Sequence, residues 1–379
     1  MSRPSVKGWC PGALRPMESG DGFIIRVRPV MGALEPAQLA ALCAVSQHFG
    51  AGLIDLTNRG NLQIRGIAGP DVPHAQEALG AAGLLDPDEA SEARRNILVP
   101  PDWQRGDDSF RLARALTERL GELPPLPAKF GFAIDAGPAP ILTGAPADLR
   151  IERAASGLIL RADGQRLGTQ LQEGGEIDAV MALALWFAQT GGAASARMAR
   201  HRAPPGAAQG TPPLPSRAPL RPGQPLMLGD QPALSYGLAF GQIEAAALAP
   251  LASRRTLRTT PFRTIVLTGP RVDAPSLITD PGDPMLRVNA CPGAPFCASA
   301  SVETRALARA LAPLTGGTLH VSGCAKSCAQ PGAADITLTG RGGAFDLIRR
   351  GRASDPPAGT ALDPSSIIAL LRENDASSL

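Results

Sequence analysis

The chain has 379 residues, with 37 Lys plus Arg against 34 Asp plus Glu, a net charge of +3, 44% apolar residues and 4% aromatic residues. It is long enough for two or three domains around real cores. The net charge excludes neither class of partner, but the few aromatics and the lack of any Lys/Arg run of five residues do not read as a nucleic-acid module. No apolar run reaches the length of a membrane span, and the longest, 179–188, has the length of a buried helix. The N-terminal ten positions hold no apolar signal core, so the expected compartment is a reducing cytoplasm, where thiols stay free to bind metal.

Residues 23–28 read as a strand from their β-branched run. Pro36 opens a helix whose apolar face carries Leu39, Leu42, Cys43, Val45 and Phe49, and Gly50 closes it. Cys43 on that face reads as a core thiol. Leu53–Leu56 and Leu62–Ile67 read as strands joined by a tight turn over 57–61. A helix follows over 109–120, with Leu112, Ala115, Leu116 and Leu120 inward, then a strand over 129–134 and a buried helix over 177–189. The Pro-, Gly- and Ala-rich stretch 201–225 reads as a solvated linker.

A second unit of the first type begins after residue 230. It comprises a strand over 234–243, a helix over 244–251 and two short strands within 256–268 around Thr260-Pro261. The run 56–64 can be laid on 259–267, a weak internal repeat. Strands are then expected over 285–288, 319–321 and 336–338, a helix over 302–311, and a last helix over 366–371 capped by Ser365.

Four of the six cysteines fall in two short runs, Cys291-Pro-Gly-Ala-Pro-Phe-Cys297 and Cys324-Ala-Lys-Ser-Cys328. Glycine and proline surround the sulfurs, as where a loop folds closely around something. Four thiolates in two paired loops suit an iron–sulfur cubane or a tetrahedral zinc, and the five-residue gap is wider than the usual zinc knuckle. Disulfides are the third reading, disfavoured in a chain of this size without a signal.

The positive charge is almost wholly arginine, since the only lysines are Lys7, Lys129 and Lys326. Arg26 with Arg28, Arg59 with Gln63 and Arg65, Arg94 with Arg95 and Asn96, and Lys129 each put a cation beside strand or turn backbone. Planar guanidinium forks suit two-pronged recognition of carboxylates, whereas a charge of this kind taken singly is usually a solvated surface group.

Taken together, C-x5-C, C-x3-C and the ordered cations resemble the sulfite/nitrite reductase family. Its R-x-R strand, T-x-R-x-x-x-Q turn, R-N pair and K-x-K segment match Arg28, Arg59 with Gln63, Arg95 before Asn96, and Lys129. The resemblance covers about 20–348. It implies an α+β fold of mixed sheets with pseudo-two-fold architecture. The implied divisions are a ferredoxin-like half over 15–75, a tetrapyrrole-binding domain over 86–200, the linker 201–225, a second ferredoxin-like half over 226–272 and a cluster domain over 280–379. It implies a [4Fe-4S] cluster on Cys291, Cys297, Cys324 and Cys328, and a macrocycle held by Arg28, Arg59, Gln63, Arg65, Arg95 and Lys129. In that family the fourth cysteine also bridges to sirohaem.

Three departures argue against six-electron reduction of sulfite or nitrite. Gly131 stands where the second lysine of K-x-K belongs, Lys326 stands where reductases commonly carry Asn, and the chain is short. The runs Val6-Lys-Gly-Trp-Cys10-Pro-Gly, Leu126-Pro-Ala-Lys-Phe-Gly-Phe132 and Leu319-His-Val-Ser-Gly-Cys-Ala-Lys-Ser-Cys328-Ala-Gln-Pro331 resemble the precorrin-3B synthase family of cobalamin biosynthesis instead. That resemblance implies a monooxygenase acting on precorrin-3A with O2, a separate non-haem iron, and an electron donor that is an NADH-linked reductase or ferredoxin-like. From composition and the lack of a membrane-length run, no nucleic-acid or membrane partner is expected. Sirohaem belongs only to the competing reading as a sulfite or nitrite reductase, and a bare electron carrier is the third. His48, His74, His201 and His320 show no paired-ligand spacing, so no iron ligands or catalytic residues are assigned. Cys10 is open between ligand and ordinary thiol.

Overall fold

The computed structural model describes residues 10–376, with side chains as far as Arg372. The stretch 6–9 used in the second resemblance lies outside the described residues.

The chain opens with β1 (Met17–Ser19) and β2 (Gly22–Val27). A 3-10 turn, Val30–Gly32, then throws it sideways into β3 (Ala33–Leu34). Met31 sits at φ 56 and Gly32 at φ 65, so the strand cannot run on. α1 (Pro36–His48) starts with Pro36 at its first turn, and the Glu35 N–H donates to Gln38 Oε1 at 3.1 Å. Cys43 is fully buried on its inner face, and burial pushes its thiol up to about 12. β4 (Leu53–Leu56), β5 (Leu62–Ile67) and α2 (Val72–Ala81) complete the unit.

The first body follows. It holds α3 (Glu89–Arg94), β6 (Ile97–Leu98), α4 (Asp108–Glu118), β7 (Phe132–Asp135), β8 (Leu149–Ala154), β9 (Gly157–Ala162), β10 (Thr169–Gln170), α5 (Glu176–Gln189) and the single turn α6 (Gly192–Ser195). The strand expected over 129–134 begins only at Phe132, because the Phe130 N–H turns back to the Pro127 carbonyl at 2.7 Å. α4 is capped by Asp107, which accepts from the Phe110 N–H at 2.7 Å. Ala113 rather than Ala115 joins Leu112 and Leu116 on its buried side.

The second half repeats this order. β11 (Pro225–Leu228), β12 (Gln231–Gly237), β13 (Gln242–Glu244), α7 (Ala245–Ala252), β14 (Leu257–Thr259) and β15 (Thr264–Thr268) mirror β1 to β5 with α1. The strand expected over 234–243 is broken, since Phe240 at φ 59 and Gly241 at φ 70 make the same sideways step as Met31 and Gly32. The second body has β16 (Val288–Ala290), α8 (Arg305–Leu311), β17 (Leu319–Ser322), β18 (Ala334–Arg341), β19 (Ala344–Gly351), β20 (Gly359–Leu362) and α9 (Pro364–Ala376). A 3-10 turn over Pro284–Arg287 replaces the start of the strand expected there. Asp363, not Ser365, caps α9, accepting from the Ser365 and Ser366 N–H groups at 2.9 and 3.0 Å.

Four five-stranded sheets result. Their orders are β1-β2-β5-β4-β13, β11-β12-β15-β14-β3, β10-β9-β8-β7-β6 and β16-β17-β18-β19-β20. The sideways steps make the two halves trade their edge strands: β13 pairs with β4 and β3 with β14. The first two sheets share one core, in which Ile25, Ile54 and Ile64 meet Tyr236, Ile243 and Ile265. Each body has its own core, centred on Phe132 and Phe187 in one and on Val321 and Leu338 in the other.

The stretch 201–225 is largely solvated, as expected of a linker, yet tied down along its course. It straps the first body, with the Leu214 N–H on the Arg153 carbonyl, the Arg217 N–H on the Pro140 carbonyl and an Arg217–Asp102 ion pair at 2.7 Å. His201 anchors its start, its two ring nitrogens bonded to Thr190 Oγ1 at 2.8 Å and Ser195 Oγ at 2.7 Å.

Candidate functional site

The two cysteine runs leave the ends of neighbouring parallel strands, β16 and β17, so topology alone brings both loops to one edge of the second body. All six cysteines are free thiols, which removes the disulfide reading among these residues. The Gly323 N–H donates to Cys291 Sγ at 3.2 Å, and the Cys291 carbonyl takes the Thr304 hydroxyl at 2.5 Å. Glycine is required on both loops: a Cβ on Gly293 would stand 2.7 Å from Thr304 Oγ1, and one on Gly323 2.5 Å from the Ala300 methyl. Burial raises the Cys328 thiol, and the nearby Cys324, Cys291 and Cys297 raise it further. Crowded sulfurs of this kind hold protons tightly until positive charge arrives among them.

A cubane fits this donor set, because each thiolate then binds a different iron. A single ion needs several ligands to converge, and among the described residues no three His, Cys, Asp or Glu groups do so. No ligands of a zinc or of a separate mononuclear iron are assigned, and no step is routed through either.

The first cysteine loop is braced from the first half. The Phe296 carbonyl accepts from Arg65 Nη2 at 3.0 Å and from Ser19 Oγ at 3.1 Å. Arg65 is buried and also forks onto Asp21 at 2.9 and 3.0 Å. It therefore joins the lobes, a role the sequence reading did not assign to it. Phe296 itself, at the tip of the loop, is 38% exposed.

The remaining cations gather on the rim of the first body. Arg26 on β2 forks onto Gln63 Oε1 on β5 at 2.6 and 3.0 Å, and it also bonds the Cys10 thiol. Burial, then Arg28 and Arg59, push Arg26 down to about 10, while Cys10 opposes the shift. Cys10 thus stands among the first-half arginines. Arg28 is buried and paired with Glu92 at 2.7 Å, although its Nε has no hydrogen-bond partner. Arg95 forks onto Asp86 through two bonds of 2.7 Å. Arg59 reaches across to the Lys129 carbonyl at 2.8 Å, and Lys129 is exposed beside it.

Of the six residues expected to hold a macrocycle, Arg28, Arg65 and Arg95 therefore face protein carboxylates, and Gln63 serves Arg26. Arg59 and Lys129 keep cationic groups directed at the rim. Arg26 and Arg197 stand close to this group, and the sequence reading assigns neither of them a binding role. Arg26 was passed over for its neighbour Arg28, and Arg197 lies in no motif, so only the fold brings it near Arg59. Gly131 has a steric role as well: a Cβ there would lie 3.0 Å from Arg59 Nη1 and 3.1 Å from the Asn96 carbonyl.

The histidines divide by depth. His48 and His74 are exposed and stack around Phe49. His320 is fully buried on β17 with neither ring nitrogen partnered, and burial pushes it down to about 4.

Residues 15–82 match the family model of the nitrite/sulfite reductase ferredoxin-like half domain. A precorrin-3B synthase from Sinorhizobium sp is 30% identical over 93% of this chain and 84% of its own length. A ferredoxin–nitrite reductase from Synechococcus elongatus is 27% identical over 86% of this chain and 77% of its own. The solved structure of Mycobacterium tuberculosis NirA has a TM-score of 0.64 at 20% identity, covering 92% of this chain and 79% of that one, a likeness of fold. With paired half-domains, exchanged edge strands and a match across nearly its whole length, the chain belongs to the precorrin-3B synthase family of the nitrite/sulfite reductase superfamily.

Proposed function

We propose that this chain is a tetrapyrrole monooxygenase of cobalamin biosynthesis that hydroxylates metal-free precorrin-3A at C20 and closes a ring-A acetate to a γ-lactone. In a reaction of that class one atom of O2 enters the product and the other leaves as water, so two electrons must come from a donor. Cys291, Cys297, Cys324 and Cys328 would hold a [4Fe-4S] cluster, whose chemistry is to pass electrons singly.

The chain's own residues supply binding and orientation. Arg26, Arg59 and Lys129 present donors to the acetate and propionate arms, and charge-assisted forks orient a flat ring as well as attract it. Arg28, Arg65 and Arg95, locked on Glu92, Asp21 and Asp86, hold the walls.

The observation that carries the reading is Gly131 under Arg59. A side chain at 131 would begin 3.0 Å from the guanidinium that bridges to Lys129 and 3.1 Å from the Asn96 carbonyl, so a second lysine there would require Arg59 to give way. Gly131 supplies neither a charge nor a proton where reductases carry the second of two lysines, which disfavours the sulfite or nitrite reductase reading.

The test is incubation of reconstituted, reduced protein with precorrin-3A under O2 and a competent donor, followed by mass spectrometry. A hydroxy-lactone product is expected. Unchanged precorrin-3A, or an anaerobically purified protein whose spectrum shows the bands of bound sirohaem, would remove the proposal.

A further inference from the structure

We propose that Arg197 forms, with Arg59 and Lys129, a subsite for one carboxylate arm of the acidic macrocycle. The inference rests on the reading just given and deepens it.

One buried carboxylate organises the place. Asp148 is fully shielded from solvent. Its Oδ2 accepts from the Gly131 N–H at 3.0 Å, and its own N–H donates to the Gly131 carbonyl at 2.7 Å. Its Oδ1 accepts from the Met198 N–H at 2.8 Å and from Arg197 Nε at 2.9 Å. The peptide two residues beyond Lys129 and the base of the Arg197 guanidinium are therefore pinned to the same group. Ala196, at φ 59, turns the chain so that Arg197 and Met198 both meet Asp148.

Only the Nε edge of Arg197 is strongly held. Its Nη2 has one long contact, 3.5 Å, to the Ala147 carbonyl, and the side chain is a quarter exposed. On the other side of Gly131, Arg59 uses Nη2 for the Lys129 carbonyl, and its Nη1 lies against Gly131. The two guanidiniums feel each other: after burial, Arg197 is the largest influence lowering Arg59, and Asp148 only partly offsets it. Arg59 and Arg197 are both coupled to one carboxylate, Asp148, whose oxygens already accept N–H groups, and the exposed Lys129 adds a third positive charge beside Arg59. Surplus positive charge with unspent N–H donors is the setting in which a carboxylate is held by forks from two sides.

The test is a titration with uroporphyrin, a metal-free macrocycle whose arms are all carboxylates, followed by its absorption and by tryptophan quenching across a salt series. Arg197→Ala should weaken binding about tenfold or more, as loss of one charge-assisted contact does, and should flatten the salt dependence. Arg197→Lys should restore part of it. Arg271→Ala, which removes the same charge from an exposed pair with Asp273, should bind as the wild type does. Arg197→Gln, which keeps a polar stem toward Asp148, replaces Arg197→Ala if the latter misfolds. Wild-type affinity and salt slope in the Arg197 variants would overturn the subsite and leave the macrocycle reading standing. Failure of the wild type to bind uroporphyrin would overturn both.

Discussion

Asp135 and His320 lie on corresponding strands of the two bodies, β7 and β17, and both are buried with unspent polar atoms. Burial raises the Asp135 carboxyl to about 6, against the two N–H groups of Ile141 and Leu142 that favour its charge. A raised acid stabilises the fold below its unfolded value, 3.8, and that contribution is lost as pH rises through about 6. His320, lowered from 6.5 to about 4, contributes stability above 6.5 that is lost as pH falls through about 4. The two slopes oppose each other over the same window. Asp135→Asn should therefore make the protein lose stability on acidification, and His320→Asn should make it lose stability as pH rises from 4 to 6. Each effect is on the order of 3 kcal/mol, as the moves from 3.8 to about 6 and from 6.5 to about 4 imply. Urea midpoints measured across that window check this, and parallel profiles for both variants and the wild type would contradict it. Neither environment was legible beforehand, because a single Asp or His in a strand run carries no mark of what covers it.

The elements were read well where periodicity or punctuation was local. α1 was visible from Pro36, its apolar spacing and Gly50, and β5 from the tight turn over 57–61 that joins it to β4. The paired sideways steps were not, because Met31 and Phe240 hold left-handed backbone that their residue types do not announce. Gly241 marks the second step, with φ 70 and a would-be Cβ 2.9 Å from the Leu56 carbonyl. Gly241→Ala should cost at least the ~1–2 kcal/mol of a left-handed alanine. It should also loosen the pairing of β13 with β4, read as faster amide exchange at Ile54 and Ile243. Protection equal to the wild type would show that the exchanged edge does not depend on this glycine.

At the scale of the molecule, the first cysteine loop touches the first half through Phe296, Ser19 and Arg65. A change in the cysteines should therefore be felt across the lobes. Cys297→Ala, next to Phe296, should abolish the broad visible absorption of the reconstituted protein and raise proteolytic cutting in both lobes. Arg65→Ala should keep the absorption yet loosen the lobes. It leaves the Asp21 carboxylate buried without its cation, a loss of about 3–5 kcal/mol when a buried pair is broken on one side. An Arg65→Ala protein as stable as the wild type would remove the bracing role.

The cysteine spacing, the order of the cations and Gly131 are covalent facts, and from them the family followed without coordinates. Which guanidiniums remain available was decided only by folding. Glu92, Asp21 and Asp86 approach Arg28, Arg65 and Arg95 through tertiary contact, while Asp148 brings Arg197 to Arg59 from 138 positions further along the chain. A side chain's chemistry is written at its own position. Its partners are written at positions that only the exchanged strands and the packed strap bring within reach.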